Sequence, residues 1–169
     1  MIDDLFQMAQ LDAGGFPLHR AELSLGDLVS DTLESFTELA KQQNIMLEGN
    51  IDADVDPVMM DTQAIGRVLN NLIGNALRHT SAQGRVSVWV RRSSTGVEVT
   101  VSDTGEGIRA EDIPHIFERF YRGEKSRNRG TGGAGLGLAI ARGIVRAHGG
   151  DIKAESQIGK GTQFTFTIP

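Results

Sequence analysis

Apolar and polar residues alternate with a period of two in three segments of the chain, and this alternation predicts β-strands. The segments cover residues 86–91, 97–102 and 163–168. One side of each segment carries only Val, Phe or Ile: Val86, Val88, Val90, Val97, Val99, Val101, Phe164, Phe166 and Ile168. A strand with one apolar side buries that side against a second layer, so we expect a sheet with one buried face and one wetter face.

Apolar residues recur at helical spacing in four other segments, and two short apolar segments are typical of further strands. The helical segments are 1–13, 25–43, 61–79 and 136–148, and the short strands are 19–24 and 45–51. Asp61 is of a type that favours the N-cap position, so we expect it to begin the third helix. Helices with one apolar face must cover the sheet, which predicts an α/β fold (α+β), a two-layer sandwich with a mixed sheet.

Composition narrows the classes of protein that this chain can represent. Its 169 residues suffice for one domain of ordinary size plus a short appendage. The formal net charge of −5 argues against a nucleic-acid-binding surface, which needs a basic footprint. The chain has no Cys, so disulfides and thiolate metal sites are excluded. No stretch is apolar for the length that a membrane span needs, so we expect no direct membrane contact from this chain.

The predicted helix 61–79 has a polar face that could either be solvated or bind a ligand. Arg67, Asn71, Asn75 and Arg78 share this face, opposite a continuous apolar face. Asn71 and Asn75 are four residues apart and therefore neighbours on the helix surface. One interpretation is an ordinary solvated face. The other is a Mg²⁺ site, because Mg²⁺ prefers oxygen ligands and is usually held by one or two protein oxygens together with substrate phosphates.

The motif DTGEGI, residues 103–108, follows directly on a predicted strand. Asp103 therefore stands at a strand end, and Gly105 and Gly107 allow the backbone a tight path close to a ligand. A carboxylate only accepts hydrogen bonds, so Asp103 could receive the exocyclic amino protons of adenine and would repel the carbonyl of guanine. The alternative is a simple turn, which Asp-x-Gly commonly forms.

A glycine-rich stretch at 123–135 separates a predicted short helix at 116–122 from the helix 136–148. We expect Phe117 and Phe120 to anchor the short helix to the core. Residues 118–129 carry five basic and two acidic side chains, which suits contact with phosphate, and Arg119 and Arg122 are the favoured candidates. Helix N-termini bind anions, so the start of the helix in GGAGLGLAI (132–140) is a candidate phosphate site, although a glycine string alone is weak evidence.

Together with GKGTQF (159–164), the motifs NLIGNALRHT (71–80), DTGEGI and GGAGLGLAI occur in an order that resembles the catalytic ATP-binding domain of sensor histidine kinases, within the GHKL ATPase superfamily. The resemblance implies a Bergerat-type sandwich with a glycine-rich ATP lid, and ATP and Mg²⁺ as cofactors. It implies that Asn75 is the metal ligand, that Asn71 and Arg78 assist catalysis, and that His79 packs on adenine. It implies nucleotide contacts from Asn71, Asn75, Arg78, His79, Asp103, Gly105, Gly107, Ile108, Phe120, Arg122, Gly133, Gly135, Leu136, Gly137, Leu138 and Thr162.

The same resemblance implies the domain boundaries of this chain and the proteins with which it acts. Residues 1–15 resemble the end of the second helix of the dimerisation domain, and residues 16–169 the catalytic domain. The phosphoacceptor is a His followed by an acidic residue, and none of the four histidines here has that neighbour. We therefore expect the chain to be a fragment of a cytoplasmic catalytic region, in a protein whose full length is often membrane-anchored. Its expected partners are the phosphoacceptor domain, in a homodimer, and a response-regulator receiver domain.

Two other functions within the superfamily stay open at this point. ATP-hydrolysing members carry a Glu that activates water where this chain has Asn71, and an amide cannot act as that base. Asn71 thus favours histidine kinase activity, in which the chain would donate the γ-phosphoryl group of ATP to a histidine for onward transfer to an Asp. The alternatives are a nucleotide-binding regulatory module and an anti-sigma-type protein kinase without histidine autophosphorylation.

Overall fold

The computed structural model describes residues 2–12, 16–121 and 135–169. The helices are α1 (Ile2–Asp12), α2 (Leu25–Gln42), α3 (Thr62–His79) and α4 (Gly137–Ala147), with a 3₁₀ turn at Ile113–His115. The strands are β1 (Ala21–Leu23), β2 (Met46–Ile51), β3 (Val58–Met60), β4 (Arg85–Ser93), β5 (Gly96–Asp103), β6 (Ile152–Gln157) and β7 (Gly161–Ile168). Apart from the short helix expected at 116–122, each helix and strand predicted from the pattern is present, and its ends lie within two residues of the predicted ends.

Five strands form the main sheet in the order β2-β4-β5-β7-β6. The β2–β4 pair is parallel and the other pairs are antiparallel, so the sheet is mixed as predicted. The remaining strands, β1 and β3, pair with each other in a separate two-stranded sheet, which the sequence pattern did not predict. The pattern also missed β6, whose buried positions are too few to stand out.

One face of the main sheet is buried beneath α2, α3 and α4. Val90, Val99 and Phe166 form one row across three strands, and each of them is at most 1% exposed. The opposite face carries polar side chains and Trp89, which is 48% exposed. The two-layer α/β sandwich predicted from the alternating strands is therefore confirmed.

Local sequence explains where the long helices begin. Ser24 caps α2 by accepting a hydrogen bond from the amide of Asp27 at 3.0 Å. Asp61 caps α3 in the same way, with the amide of Ala64 as donor at 3.0 Å, as predicted. The N-terminal helix α1 packs on α4, where Leu11 faces Gly143, and Asp4 forms an ion pair with Arg67 of α3.

Candidate functional site

Asp103 is the last residue of β5, and the surrounding backbone holds its carboxylate in place. Its Oδ1 accepts hydrogen bonds from the amides of Gly105, at 2.8 Å, and Thr162, at 3.3 Å. The second bond arises because Asp103 and Thr162 are register partners across β5 and β7. Within the described residues no group donates to Oδ2, so one carboxylate oxygen is fixed and the other is available to a ligand.

The surroundings of Asp103 disfavour the ionised form of its carboxyl group. Burial raises the pKa of the Asp103 carboxyl above its ordinary value, although the amides of Gly105 and Thr162 and the nearby His79 partly offset that effect. A partly desolvated carboxylate is a strong hydrogen-bond acceptor for a ligand that can replace the lost water. Shifted pKa values of this kind are frequent at functional sites.

Two glycines shape the loop that follows Asp103. A Cβ on Gly105 would lie 2.3 Å from the carbonyl oxygen of His79, so the loop approaches the end of α3 more closely than any other residue allows. Gly107 has a φ of +76°, and a Cβ there would lie 2.2 Å from the carbonyl oxygen of Gln157. The spacing of the DTGEGI motif therefore has a physical reason, because both glycines permit backbone contacts between distant segments.

The side chains beneath this loop form a chain of hydrogen bonds. The hydroxyl of Ser156 accepts from the amide of Ile108 at 2.8 Å and lies 2.8 Å from the hydroxyl of Thr162. Ser156 also donates to the carbonyl of Gly161 at 2.9 Å. Thr162 is 8% exposed, and its amide is one of the two that donate to Asp103.

The predicted polar face of α3 is half-exposed, and its apolar face is buried. Asn71 donates from Nδ2 to the carbonyl of Gly137, at 3.1 Å, which ties α3 to the first residue of α4. Asn75 lies one turn further along, half-buried, and no hydrogen bond to its side chain is found within the described part of the chain. Arg78 is exposed. The helix thus brings an amide oxygen and a cation to the end of α3 that adjoins the Asp103 loop.

His79, the last residue of α3, contacts the same loop. Its Nδ1 lies 3.0 Å from Oε1 of Glu106, and its carbonyl accepts from the amide of Glu106 at 3.3 Å. The structure therefore brings His79, Asp103, Gly105, Gly107, Ile108 and Thr162 together at one end of the sheet.

The segment that precedes residues 122–134 differs from the prediction. Residues 116–121 form turns after the 3₁₀ turn and not the expected short helix, so that prediction is wrong. Phe117 packs into the core with its ring edge-to-face against Phe164, centroids 6.1 Å apart. Phe120 is instead 61% exposed, with a φ of +59°, because the turn directs it away from the core. Only one of the two expected anchors therefore reaches the core.

A hydrogen bond joins the described residues on either side of the range 122–134. The amide of Phe120 donates to the carbonyl of Gly135 at 3.0 Å. Next to it, the Tyr121 hydroxyl donates to the carboxylate of Asp112. Hydrogen bonds from Arg109 and Tyr121 lower the pKa of Asp112 below its ordinary value. Arg122 and Gly133, which we assigned to nucleotide contacts, lie outside the described residues.

The start of α4 combines buried side chains with accessible backbone. Leu136 is buried in the core and Leu138 packs against it, so nucleotide contacts from these residues would come from their backbone. Gly137 opens the helix and faces Asn71. The first amides of a helix lack intrahelical partners, and this end of α4 is therefore suited to an anion.

Two residues of the site had no role in the sequence-based interpretation. Ser156 comes from the unpredicted strand β6, and nothing in its sequence context indicated a role. Glu106 stands between the two glycines of DTGEGI, so its position inside a motif was an available signal.

Comparison with known proteins agrees with this geometry. Residues 60–169 match the model of the family described as histidine kinase-, DNA gyrase B-, and HSP90-like ATPases. The sensor histidine kinase WalK of Bacillus subtilis is 39% identical over 172 residues, which cover 100% of this chain and 28% of WalK. Full-length ShkA in complex with AMPPNP superposes with a TM-score of 0.88 at 28% identity, over 99% of this chain and 35% of that chain. The kinase ThkA in complex with the response regulator TrrA has a TM-score of 0.77 at 27% identity, over 99% of this chain and 48% of that chain.

The protein is a two-layer α/β sandwich, and its candidate functional site lies where β5 and α3 end. The chain belongs to the family of histidine kinase-, DNA gyrase B-, and HSP90-like ATPases. Its fold is that of histidine kinase ATPase domains of the GHKL type. The chain spans less than half the length of the curated sensor histidine kinases that it matches. Within the described ranges, none of the helices has both the length and the apolar character to cross a membrane.

Proposed function

We propose that this chain is the catalytic ATP-binding domain of a sensor histidine kinase. It binds Mg·ATP and donates the γ-phosphoryl group to a histidine of a dimerisation domain. That histidine then passes the group to an aspartate of a response regulator. Relatives named as sensor histidine kinases and the ThkA complex with a response regulator support these partners. The finer parts of the proposal rest on the residues of the site.

The arrangement of Asp103 is the observation that carries ATP recognition. Two backbone amides hold Oδ1, whereas Oδ2 accepts nothing from the described residues. An amino group that donates to Oδ2 would complete the carboxylate's hydrogen bonds, as the exocyclic amine of adenine can. Guanine carries an acceptor at that place, and two acceptors would face each other in a partly desolvated site. The geometry therefore favours ATP over GTP.

The polar face of α3 is suited to a magnesium ion that binds together with the nucleotide. The described residues hold no group of three or more His, Asp or Glu side chains that could enclose a metal ion. A Mg²⁺ ion on Asn75 would accordingly take its other ligands from phosphate oxygens and water, which is its usual coordination in nucleotide sites. When bound, it offsets phosphate charge as the phosphoryl group is transferred.

The other residues of the site position the nucleotide. Asn71 holds the start of α4, whose first amides lack intrahelical partners and suit a phosphate group. Arg78 and the basic residues near 119–122 supply positive charge for the phosphates. The acceptor histidine attacks the γ-phosphorus and the bond to the bridging oxygen of ADP breaks, so the chain contributes orientation and charge stabilisation.

Two measurements test the proposal. Calorimetric titration should give tighter binding of ATP with Mg²⁺ than without it, and much weaker binding of GTP. Incubation of the chain with [γ-³²P]ATP and a separately made dimerisation fragment should label the fragment with acid-labile, base-stable phosphate. Replacement of the acceptor histidine by Gln in that fragment is the control for the site of labelling.

The outcomes separate the candidate functions. Equal binding of ATP and GTP would overturn the role of Asp103. Selective ATP binding without phosphohistidine would favour a regulatory module that binds nucleotide. Acid-stable label on a Ser or Thr of another protein would favour a protein kinase of the anti-sigma type.

A further inference from the structure

Glu106 holds the end of α3 through both its backbone and its side chain. Its amide donates to the carbonyl of His79 at 3.3 Å, and its Oε1 lies 3.0 Å from Nδ1 of the same residue. The two side chains are 30% and 34% exposed, so water competes with this hydrogen bond only in part. Glu106 is therefore bonded to His79 at two separate points.

His79 stands at the rim of the site around Asp103. Its carbonyl oxygen is against Gly105, the residue whose amide holds Asp103, and its ring is close enough to influence the Asp103 carboxylate electrostatically. A flat ring in this position can pack on a purine whose edge is bound by Asp103. Packing of two flat rings depends on their relative orientation, so a freely rotating imidazole would contribute less.

A hydrogen bond from a ring nitrogen to a carboxylate restricts that rotation. When Nδ1–H donates to Glu106, the ring plane is defined and Nε2 is left as the acceptor, because the partner of one nitrogen decides which tautomer is present. Carboxylates orient histidine ligands of metals in the same way. The backbone bond between Glu106 and His79 survives truncation of the side chain, so the loop keeps its attachment to α3.

We propose that Glu106 is a positioning residue of the nucleotide site, and that it fixes the orientation and the tautomer of His79 so that the imidazole ring packs on the adenine base. This role rests on the proposed ATP-binding function. It adds an orienting carboxylate to the base-recognising carboxylate of Asp103, and both belong to the DTGEGI motif.

A double-mutant cycle tests whether Glu106 acts through His79. ATP affinity is measured by calorimetry for the unmodified chain, Glu106→Ala, His79→Ala and the double variant. Glu106→Ala should weaken ATP binding about fivefold, the loss expected for one hydrogen bond. In the His79→Ala background the same change should have no effect within error. Glu106→Gln should restore most of the affinity, because its amide oxygen still accepts from Nδ1–H.

A matched control and a spectroscopic measurement complete the test. Glu98 pairs with Arg91 on the sheet, where no nucleotide contact is assigned, so Glu98→Ala also removes a paired carboxylate and should leave ATP affinity unchanged. The ¹⁵N chemical shifts of His79 at pH 8, without nucleotide, should show a proton on Nδ1, and this preference should weaken in Glu106→Ala.

Each contrary result has a distinct meaning. An equal effect of Glu106→Ala with and without the His79 ring, or a proton on Nε2 of His79 in the unmodified chain, would overturn the positioning role. If the unmodified chain binds no ATP, both this role and the proposed function fail. If ATP binds selectively and Glu106→Ala has no effect, only the positioning role fails.

Discussion

The backbone amide of Asp61 donates a hydrogen bond to Nε2 of His148, at 3.1 Å, in a buried position between the start of α3 and the end of α4. The other ring nitrogen lies 2.9 Å from the carbonyl of Ile144, which accepts its proton. The ring is therefore neutral, with its proton on Nδ1. With the bond from Asn71 to Gly137 near the other end of α4, this contact fixes α3 and α4 as an antiparallel pair.

We expect the stability of the fold to decrease below pH 6.5 because of His148. Burial lowers the pKa of His148 below its ordinary value of 6.5, more than its hydrogen bond to Ile144 raises it. The unfolded chain therefore binds the proton at a higher pH than the folded chain does. The contribution to stability is fully present above pH 6.5 and is lost as the pH falls through the folded-state pKa.

Urea unfolding between pH 5 and 8 measures this contribution. His148→Gln should lower the free energy of unfolding at pH 8, because it disturbs a buried hydrogen-bonded group, but it should also flatten the pH dependence between pH 5 and 7. An unchanged slope in His148→Gln would assign the pH dependence to other groups.

Asp103→Asn should weaken ATP binding without loss of stability. We expect at least a tenfold increase in Kd, about 1.4 kcal/mol, if Oδ2 receives the adenine amine. The pKa of Asp103 is raised in the folded chain, so the protonated carboxyl favours the folded state. This contribution to the free energy of unfolding is fully present below the ordinary pKa of 3.8 and is lost as the pH rises through the folded-state pKa. At pH 7 the charge is therefore a cost, and the thermal midpoint of the variant should equal or exceed that of the unmodified chain. A Kd within error of the original would contradict the assignment of Asp103.

Asn75→Ala should remove the Mg²⁺ dependence of ATP binding. The side chain has no hydrogen bond to the described residues, so its loss should change the free energy of unfolding little, within about 0.5 kcal/mol. Affinity for ATP in the presence of EDTA should be unaffected, whereas the gain on addition of Mg²⁺ should disappear. Calorimetry with and without the metal gives both values. Asn71→Ala is the matched comparison, because it should lower stability by about 1 kcal/mol through loss of the bond to Gly137.

Gly107→Ala should destabilise the fold much more than Gly159→Ala. Both glycines have positive φ, +76° and +78°, so each substitution carries the same backbone strain of about 1–2 kcal/mol. Only at Gly107 would the new Cβ meet backbone, 2.2 Å from the carbonyl oxygen of Gln157, whereas Gly159 has open space around it. Overpacking should add about 1–3 kcal/mol at Gly107. The difference between the two free energies of unfolding measures the contact alone, and equal values would show that the loop can move away.

Much of the site could be predicted from the sequence because its motifs are local. Asp103 ends an alternating strand and the two glycines follow it within four residues. Their placement together in one loop could therefore be predicted without knowledge of the tertiary structure. The apolar face of α3 was likewise visible in its spacing, and the structure buries it. The short helix at 116–122 was a wrong prediction because the spacing of Phe117 and Phe120 is also compatible with a turn, and only packing against Phe164 distinguishes the two.

The sequence by itself determined the four long helices, five of the seven strands and the buried face of the alternating strands, since periodicity and capping depend on residues close together in the chain. The order of its motifs indicated the family. Tertiary structure alone decided which side chains meet. His79 and Glu106 are 27 residues apart, Ile108 and Ser156 are 48 apart, and Asn71 and Gly137 are 66 apart. Such partners are chosen by strand register and helix packing, and no local pattern carries that information.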